Sequence, residues 1–185
     1  MVGQATKKKL LIGIVSVAGA LLLAVAVWFL LYTLQFGVYK DNTYRFSIKY
    51  PKKWQMTKTP QPGVAVIFVT PKESVLDVFQ ENVNITVEDV PPDIATLKSF
   101  SDKVIAQMTA VFGNIKAQES KAAEFGNRRG YRVLFTTEKP DKMNILTTWT
   151  IKGGRAYILM YMAAGKKYET YRPYVEDMIK SFEFR

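Results

Sequence analysis

The chain has 185 residues, of which 26 are lysine or arginine and 16 are aspartate or glutamate, giving a formal net charge of +10. It contains no cysteine and no histidine. That excludes disulfides, thiolate chemistry and Ser-His-Asp or Cys-His nucleophiles, and it removes the usual ligands of zinc, copper and haem.

The basic balance points to anionic neighbours (lipid headgroups, acidic polymers, acidic proteins or nucleic acid), or else to a solvated basic surface. In chain order, the first expectation is a short basic leader, residues 1–9, closed by Lys7, Lys8 and Lys9. Residues 10–36 (LLIGIVSVAGALLLAVAVWFLLYTLQF) then carry no charge. At about 1.5 Å per residue, some 20 apolar residues cross a ~30 Å hydrocarbon core, so this stretch is expected to be one transmembrane helix. Trp28 and Tyr32 fall in its last third, where aromatic rings favour the headgroup boundary.

Ala24-Val25-Ala26 has the small-x-small form of a signal cleavage site. The apolar run continues past it to Leu34, beyond the ~7–15 residues of a secretory core, so an uncleaved signal anchor is expected. The lysines before the helix place the N-terminus in the cytoplasm and the domain on the extracytoplasmic side. Lys40, Arg45, Lys49, Lys52 and Lys53 argue the other way, but long folded domains translocate largely regardless of charge. Ser16, Ala20 and Ala24 recur every fourth residue and form a small face on which a second membrane helix could pack.

Residues 38–185 are long enough for one domain with a real core. Asp41-Asn42 marks a turn between Val38-Tyr39 and the alternating run Tyr44, Phe46, Ile48, Tyr50, which Pro51 ends. A short strand is expected near Gln55–Lys58. Pro60, Pro62 and Gly63 break the chain before the apolar run Val64–Val69, which reads as a strand covered on both faces. Lys72–Gln80 reads as a short helix or an irregular excursion. Asn82–Glu88 alternates, with Val83, Ile85 and Val87 on one face.

Pro91-Pro92 marks a loop. Thr96 is the expected N-cap of a helix carrying Leu97, Phe100, Val104, Met108 and Val111 on its apolar stripe, with Gly113 as its stop. Residues 115–124 are polar and read weakly as a strand. Turns at Gly126-Asn127, Lys139-Pro140-Asp141 and Gly153-Gly154 separate three further strands. Tyr131, Val133 and Phe135 line one face of the first. Met143, Ile145, Thr147, Trp149 and Ile151 line one face of the second, and Ala156–Ala164 is apolar on both. A last helix is expected over Tyr168–Ser181, with Tyr171, Val175, Met178 and Phe182 on its stripe. Pro173 suits only its first turn, with Thr170 as cap. Hairpins and two-sided apolar strands predict an α+β domain: an antiparallel sheet sandwiched between helices, preceded by a single transmembrane helix.

Tyr44–Trp54 (YRFSIKYPKKW), an aromatic strand ending in Tyr-Pro-x-x-Trp, resembles the opening of PsbP-like domains. The Asn82-Val83-Asn84-Ile85 strand, the Thr96-Leu97 helix start and the closing Met178–Phe184 segment, with its Ser-Phe-x-Phe ending, are similar to the same family. The resemblance covers roughly Val38 to Arg185 and implies an antiparallel sheet between helices. It also implies an accessory role. Plant and cyanobacterial members serve photosystem II on its lumenal side or assist its assembly. Related domains include a Ran-binding nuclear import factor and envelope lipoproteins of the DcrB type. Histidines proposed as metal ligands in some photosynthetic members have no counterpart in a chain without histidine.

Few residues carry a chemical signal. Glu88, Asp89 and Asp93 form the tightest acid cluster, without the pattern of a calcium loop, and read as a solvated loop. Glu176-Asp177 reads as ordinary helix surface. The meander puts the Gly126-Asn127 and Gly153-Gly154 turns at the same end of the sheet, which brings Arg128, Arg129, Lys152 and Arg155 together as a partner-binding surface. The expected function is a membrane-anchored, non-catalytic accessory or assembly module that binds a larger membrane protein complex. The alternative is an envelope domain binding a small ligand, an anionic polymer or anionic lipid headgroups. No catalytic residue, cofactor, transition metal or nucleic-acid partner is expected.

Overall fold

Helix α1 (Val2–Leu34) opens the chain; its helical backbone takes in Lys7–Lys9 and the apolar run as far as Leu34, while Phe36, expected in the same helix, opens the first strand instead. The structure, a computed structural model, describes residues 2–59, 61–77, 79–91, 94, 96–113, 115–137 and 142–185, with the backbone alone for residues 2 and 4–16. The side chains of Lys7–Lys9 and Ser16 therefore lie outside the described residues, as do Pro60, Pro92, Asp93 and the Lys139-Pro140-Asp141 turn. Val17–Leu34 is long and apolar enough to cross a membrane, and none of it is buried. Ala20 and Ala24 are exposed along it. Trp28 stacks on Tyr32 one turn later, ring centroids 5.6 Å apart.

The chain divides into two compact units, Met1–Phe36 and Gly37–Arg185. The elements that follow α1 are β1 (Phe36–Asp41), β2 (Phe46–Pro51), β3 (Gln55–Thr57), β4 (Val64–Val69), β5 (Asn82–Asp89), α2 (Leu97–Phe112), β6 (Ile115–Glu124), β7 (Arg129–Thr137), β8 (Met143–Lys152), β9 (Arg155–Ala164), α3 (Lys167–Lys180) and β10 (Glu183–Phe184). Seven strands form one sheet in the order β3-β4-β5-β9-β8-β7-β6, with every ladder antiparallel. β1, β2 and β10 form a second, small sheet. β9 is central because Ala156–Ala164 can be covered on both faces, and it pairs with β5 on one side and β8 on the other.

Each face of the large sheet has its own core. On one, α2 lays Phe100, Val104 and Met108 over Val133, Phe135, Ile145 and Trp149. Thr96 caps this helix: its hydroxyl accepts from Ser99 N at 3.1 Å, and Ser99 Oγ accepts from Thr96 N at 3.3 Å. Gly113 ends it at φ 64. Val111, expected on the buried stripe, is instead 74% exposed. The buried stripe steps by four from Met108 to Phe112, which packs against this core, and turns Val111 outward.

On the other face, α3 and the small sheet enclose Phe46, Ile48, Phe68, Val83, Ile85, Val175, Met178 and Phe182. Trp54, beside Pro51, closes this core at 6% exposure. α3 corrects the expected start. It begins at Lys167 after a Lys166 cap with no side-chain bond, so Pro173 lies inside the helix rather than in its first turn, and Thr170 is not the cap. Glu176 is not ordinary surface either. Its two carboxylate oxygens accept from Arg132 Nη1 and Nη2 of β7, both at 2.9 Å, and tie the helix to the sheet. Residues 71–81, between β4 and β5, form an irregular excursion without a helix among the described residues.

Candidate functional site

Two hairpins define one end of the domain. Glu124 pairs with Arg129, and Phe125 and Arg128 exchange backbone bonds of 3.0 and 3.3 Å across Gly126-Asn127. Both central residues have positive φ, 63 and 55, the backbone of a type I′ turn. Lys152 pairs with Arg155 across Gly153-Gly154, again with two positive φ values, 59 and 75. Gly130 opposes Thr150, two residues inside each turn, so the two turns share an end as the meander predicts.

The C-terminus completes this end. Phe184 of β10 pairs with Phe46 of β2, and Arg185 N donates to Arg45 O at 2.8 Å. Arg45 itself sits at φ 55, a left-handed conformation that a non-glycine residue adopts only in a tight turn. Tyr157 of β9 donates its hydroxyl to Tyr44 O at 3.1 Å and so joins the turn to the large sheet. The Lys152 ammonium lies 4.3 Å from the centroid of the Phe184 ring, a cation–π contact. Arg155 Nε donates to Asp89 Oδ1 at 3.2 Å, in an ion pair whose carboxylate is 89% exposed. Arg185 Nη1 donates to Asn42 Oδ1 at 3.2 Å.

An open recess of about 520 Å³ lies among Arg45, Lys152, Arg155 and Arg185, with Asp89 on its rim. Of the four cations expected from the sequence, Lys152 and Arg155 line this recess, while Arg128 and Arg129 are exposed on the neighbouring turn and do not line it. Arg45 and Arg185 were not among the expected residues. Their approach depends on the two-residue strand β10 finding β2, a pairing between the two ends of the domain that no local pattern announces.

Several acids outside this end have partners of their own. Glu88 of the acid cluster binds Lys103 Nζ at 3.0 Å, and Asp93 lies outside the described residues. Among the described residues no group of three or more acids could hold a metal ion. Glu73 binds Lys167 and accepts from the Tyr171 hydroxyl at 2.8 Å, and these bonds hold its carboxyl below the usual glutamate range. A second open recess, of about 810 Å³, lies beside Gly165 between Lys142, Asn144 and Gln118. Gln118 donates an amide hydrogen to Thr136 Oγ1 at 2.9 Å and Asn144 one to the Gly165 carbonyl at 3.2 Å.

No curated protein matches the sequence. Solved structures share the fold at low identity. Cyanobacterial PsbP (CyanoP) from Synechocystis sp. PCC 6803 is 16% identical, with a TM-score of 0.63 over 82% of this chain and 93% of its own. The Saccharomyces cerevisiae Ran-binding protein Mog1p is 8% identical, with a TM-score of 0.59 over 80% of this chain and 95% of its own. LpqN of Mycobacterium tuberculosis, involved in cell envelope biogenesis, is 10% identical, with a TM-score of 0.54 over 80% and 90%. At these identities the likeness carries the fold alone. The PsbP family model matches residues 34–184; that span holds the Tyr44–Trp54 opening, the Asn82–Ile85 strand and the Ser-Phe-x-Phe ending, and the chain belongs to the PsbP family.

Proposed function

We propose that this chain is a membrane-anchored, non-catalytic accessory or assembly module that docks a larger membrane protein complex. In this reading α1 is a retained signal anchor, Lys7–Lys9 stay in the cytoplasm, and the domain stands on the extracytoplasmic side. Ser16, Ala20 and Ala24 give the anchor a small-residue face for packing on a partner's membrane helix. The observation that carries the reading is the gathering of Arg45, Lys152, Arg155 and Arg185 around one open recess, with Arg128 and Arg129 on the adjoining turn. Six cations at one end steer an acidic partner and hold it by contacts that weaken with salt. Family membership and the protein-binding role in the name of Mog1p support a docking role without naming the partner.

The recess itself favours a second reading, in which a small anion, an anionic polymer or a lipid headgroup occupies it. One experiment separates the two. The tagged full-length chain is purified in mild detergent at low and at moderate salt, alongside a variant carrying Arg128→Glu and Lys152→Glu. A stoichiometric membrane protein that is lost from the variant and at moderate salt supports docking. Recovery of the same partner with the variant removes the basic end from the interface. Binding of phosphate or heparin by the wild-type chain, with no co-purifying protein, favours the second reading.

A further inference from the structure

The opposite end of the domain carries a different surface. The chain enters the second unit at Gly37, where a Cβ would lie 3.2 Å from the Tyr50 ring. Tyr50 leads into the Pro51–Trp54 turn, closed by a 2.9 Å bond from Trp54 N to Pro51 O. The Trp54 ring stands edge-on to Tyr171, centroids 5.8 Å apart, and Tyr171 donates to Glu73. Glu73 opens the tip of the excursion between β4 and β5. That tip is bonded three times over: Asp77 N to Ser74 O, Leu76 N to Ser74 Oγ, and Glu73 N to Asp77 Oδ2, each at 3.2 Å. Its base is closed by Thr70 N to Glu81 O at 2.9 Å and Gln80 Nε2 to Thr70 O at 2.6 Å.

This well-tied turn holds two adjacent aliphatic side chains in water. Val75 is 99% exposed and Leu76 83%, and Val38, next to Gly37, is 55% exposed. A scattered exposed aliphatic is ordinary, but a pair at the tip of a long, pinned loop marks a contact. Cations outnumber acids around it. Lys52, Lys53, Lys72 and Lys166 are exposed, and none has an ion pair among the described residues. Of the neighbouring acids, Glu73 pairs with Lys167 and accepts from Tyr171, Asp77 accepts from the Glu73 amide, and Glu81 is buried.

We infer that this end rests on the bilayer, with Val75 and Leu76 dipping into the interface and Lys52, Lys53, Lys72 and Lys166 on anionic headgroups. Apolar insertion flanked by lysines is the chemistry of interfacial attachment. Three peptide units link Leu34 to Gly37, a reach of at most about 11 Å, so an anchored α1 keeps this end of the domain near the headgroups. The inference rests on the reading of α1 as a membrane anchor. It leaves the basic recess at the far end free for a partner.

The chain has no cysteine, so a single introduced thiol can be labelled uniquely. Full-length Val75→Cys and Glu124→Cys, the latter exposed at the end of β6, each carry an environment-sensitive dye. They are reconstituted into phosphatidylcholine vesicles with and without phosphatidylglycerol. On Val75→Cys the dye is expected to shift to the blue and lose roughly half its emission to doxyl-labelled lipid in the anionic vesicles. Lys52→Gln, Lys53→Gln and Lys72→Gln together should reverse that quenching, and the dye on Glu124→Cys should stay aqueous throughout. A Val75→Cys dye that stays aqueous while the chain floats with the vesicles overturns this inference alone. Equal quenching at both positions overturns it too. A chain that fails to float with the vesicles overturns the anchor reading, and this inference with it.

Discussion

Tyr168 and Tyr171 hold the first turns of α3 against the sheet, and both phenols resist ionisation. Burial pushes Tyr168 up to about 12. Burial, aided by the hydrogen bond to Glu73, pushes Tyr171 up to about 12, and burial raises Tyr39 and Tyr161 further. An unfolded chain loses these protons near pH 10 while the fold keeps them, so the folded state binds more protons in that window. Their stabilisation is complete below about pH 10 and is lost as pH rises towards 12. Melting followed by circular dichroism should hold its midpoint up to about pH 9 and fall steeply above pH 10; a midpoint flat to pH 12 would show that these hydroxyls ionise freely in the fold. A second residue-scale effect runs the other way. Thr147 is fully buried under α2, and its hydroxyl has no hydrogen-bond partner among the described residues. Thr147→Val keeps the shape and removes the stranded polar atom, so it should stabilise the domain by about 1 kcal/mol. A drop in urea midpoint on that change would mean that the hydroxyl has a partner in solution.

Among the elements, β7 leaves no room for a side chain at Gly130, which faces the β8 backbone. A Cβ there would lie 2.4 Å from the Trp149 carbonyl oxygen, which is backbone and cannot swing aside. Gly130→Ala should push the two strands apart and cost about 3 kcal/mol. Gly153→Ala meets nothing within 4 Å and strains only a backbone at φ 59, so it should cost about 1 kcal/mol. Equal losses in a denaturant series would mean that conformation rather than contact governs both sites. Elements with local signals were legible in the sequence. Thr96, the Phe100-Val104-Met108 spacing and Gly113 fixed α2 within one stretch of chain, and the two glycine turns fixed the register of the meander. Val111 was misplaced because steps of three and of four both continue an apolar stripe, and Phe112 takes the covered position; Pro173 was misplaced because periodicity does not say where a helix starts. Arg45 beside Arg185, and Arg132 on Glu176, could not be read at all. Each joins elements distant along the chain whose contact is set by tertiary packing alone.

For the molecule as a whole, residues 37–185 should fold as one cooperative body without α1. Every buried hydrophobic residue of both cores lies beyond Gly37, and the division into two units falls at that glycine. The domain nevertheless has two cores, separated by the sheet, and they need not unfold together. Its tryptophans test this directly. Trp54 belongs to the core under α3 and the small sheet, and Trp149 to the core under α2. Trp28, the third in the chain, leaves with the helix. In the fragment, Trp149→Phe makes fluorescence report the α3 side, and Trp54→Phe makes it report the α2 side. The central strand β9 contributes Leu159 and Tyr161 to one core and Ala156 and Ile158 to the other, so neither can lose its side chains without disturbing the ladder both share. After allowance for each substitution's own cost, measured by circular dichroism on the same variant, each fluorescence transition in urea should coincide with that variant's backbone transition. A Trp149 signal that changes well before the backbone unfolds would show that α2 detaches first. The stable unit would then be the β2–β5, β9 and α3 half.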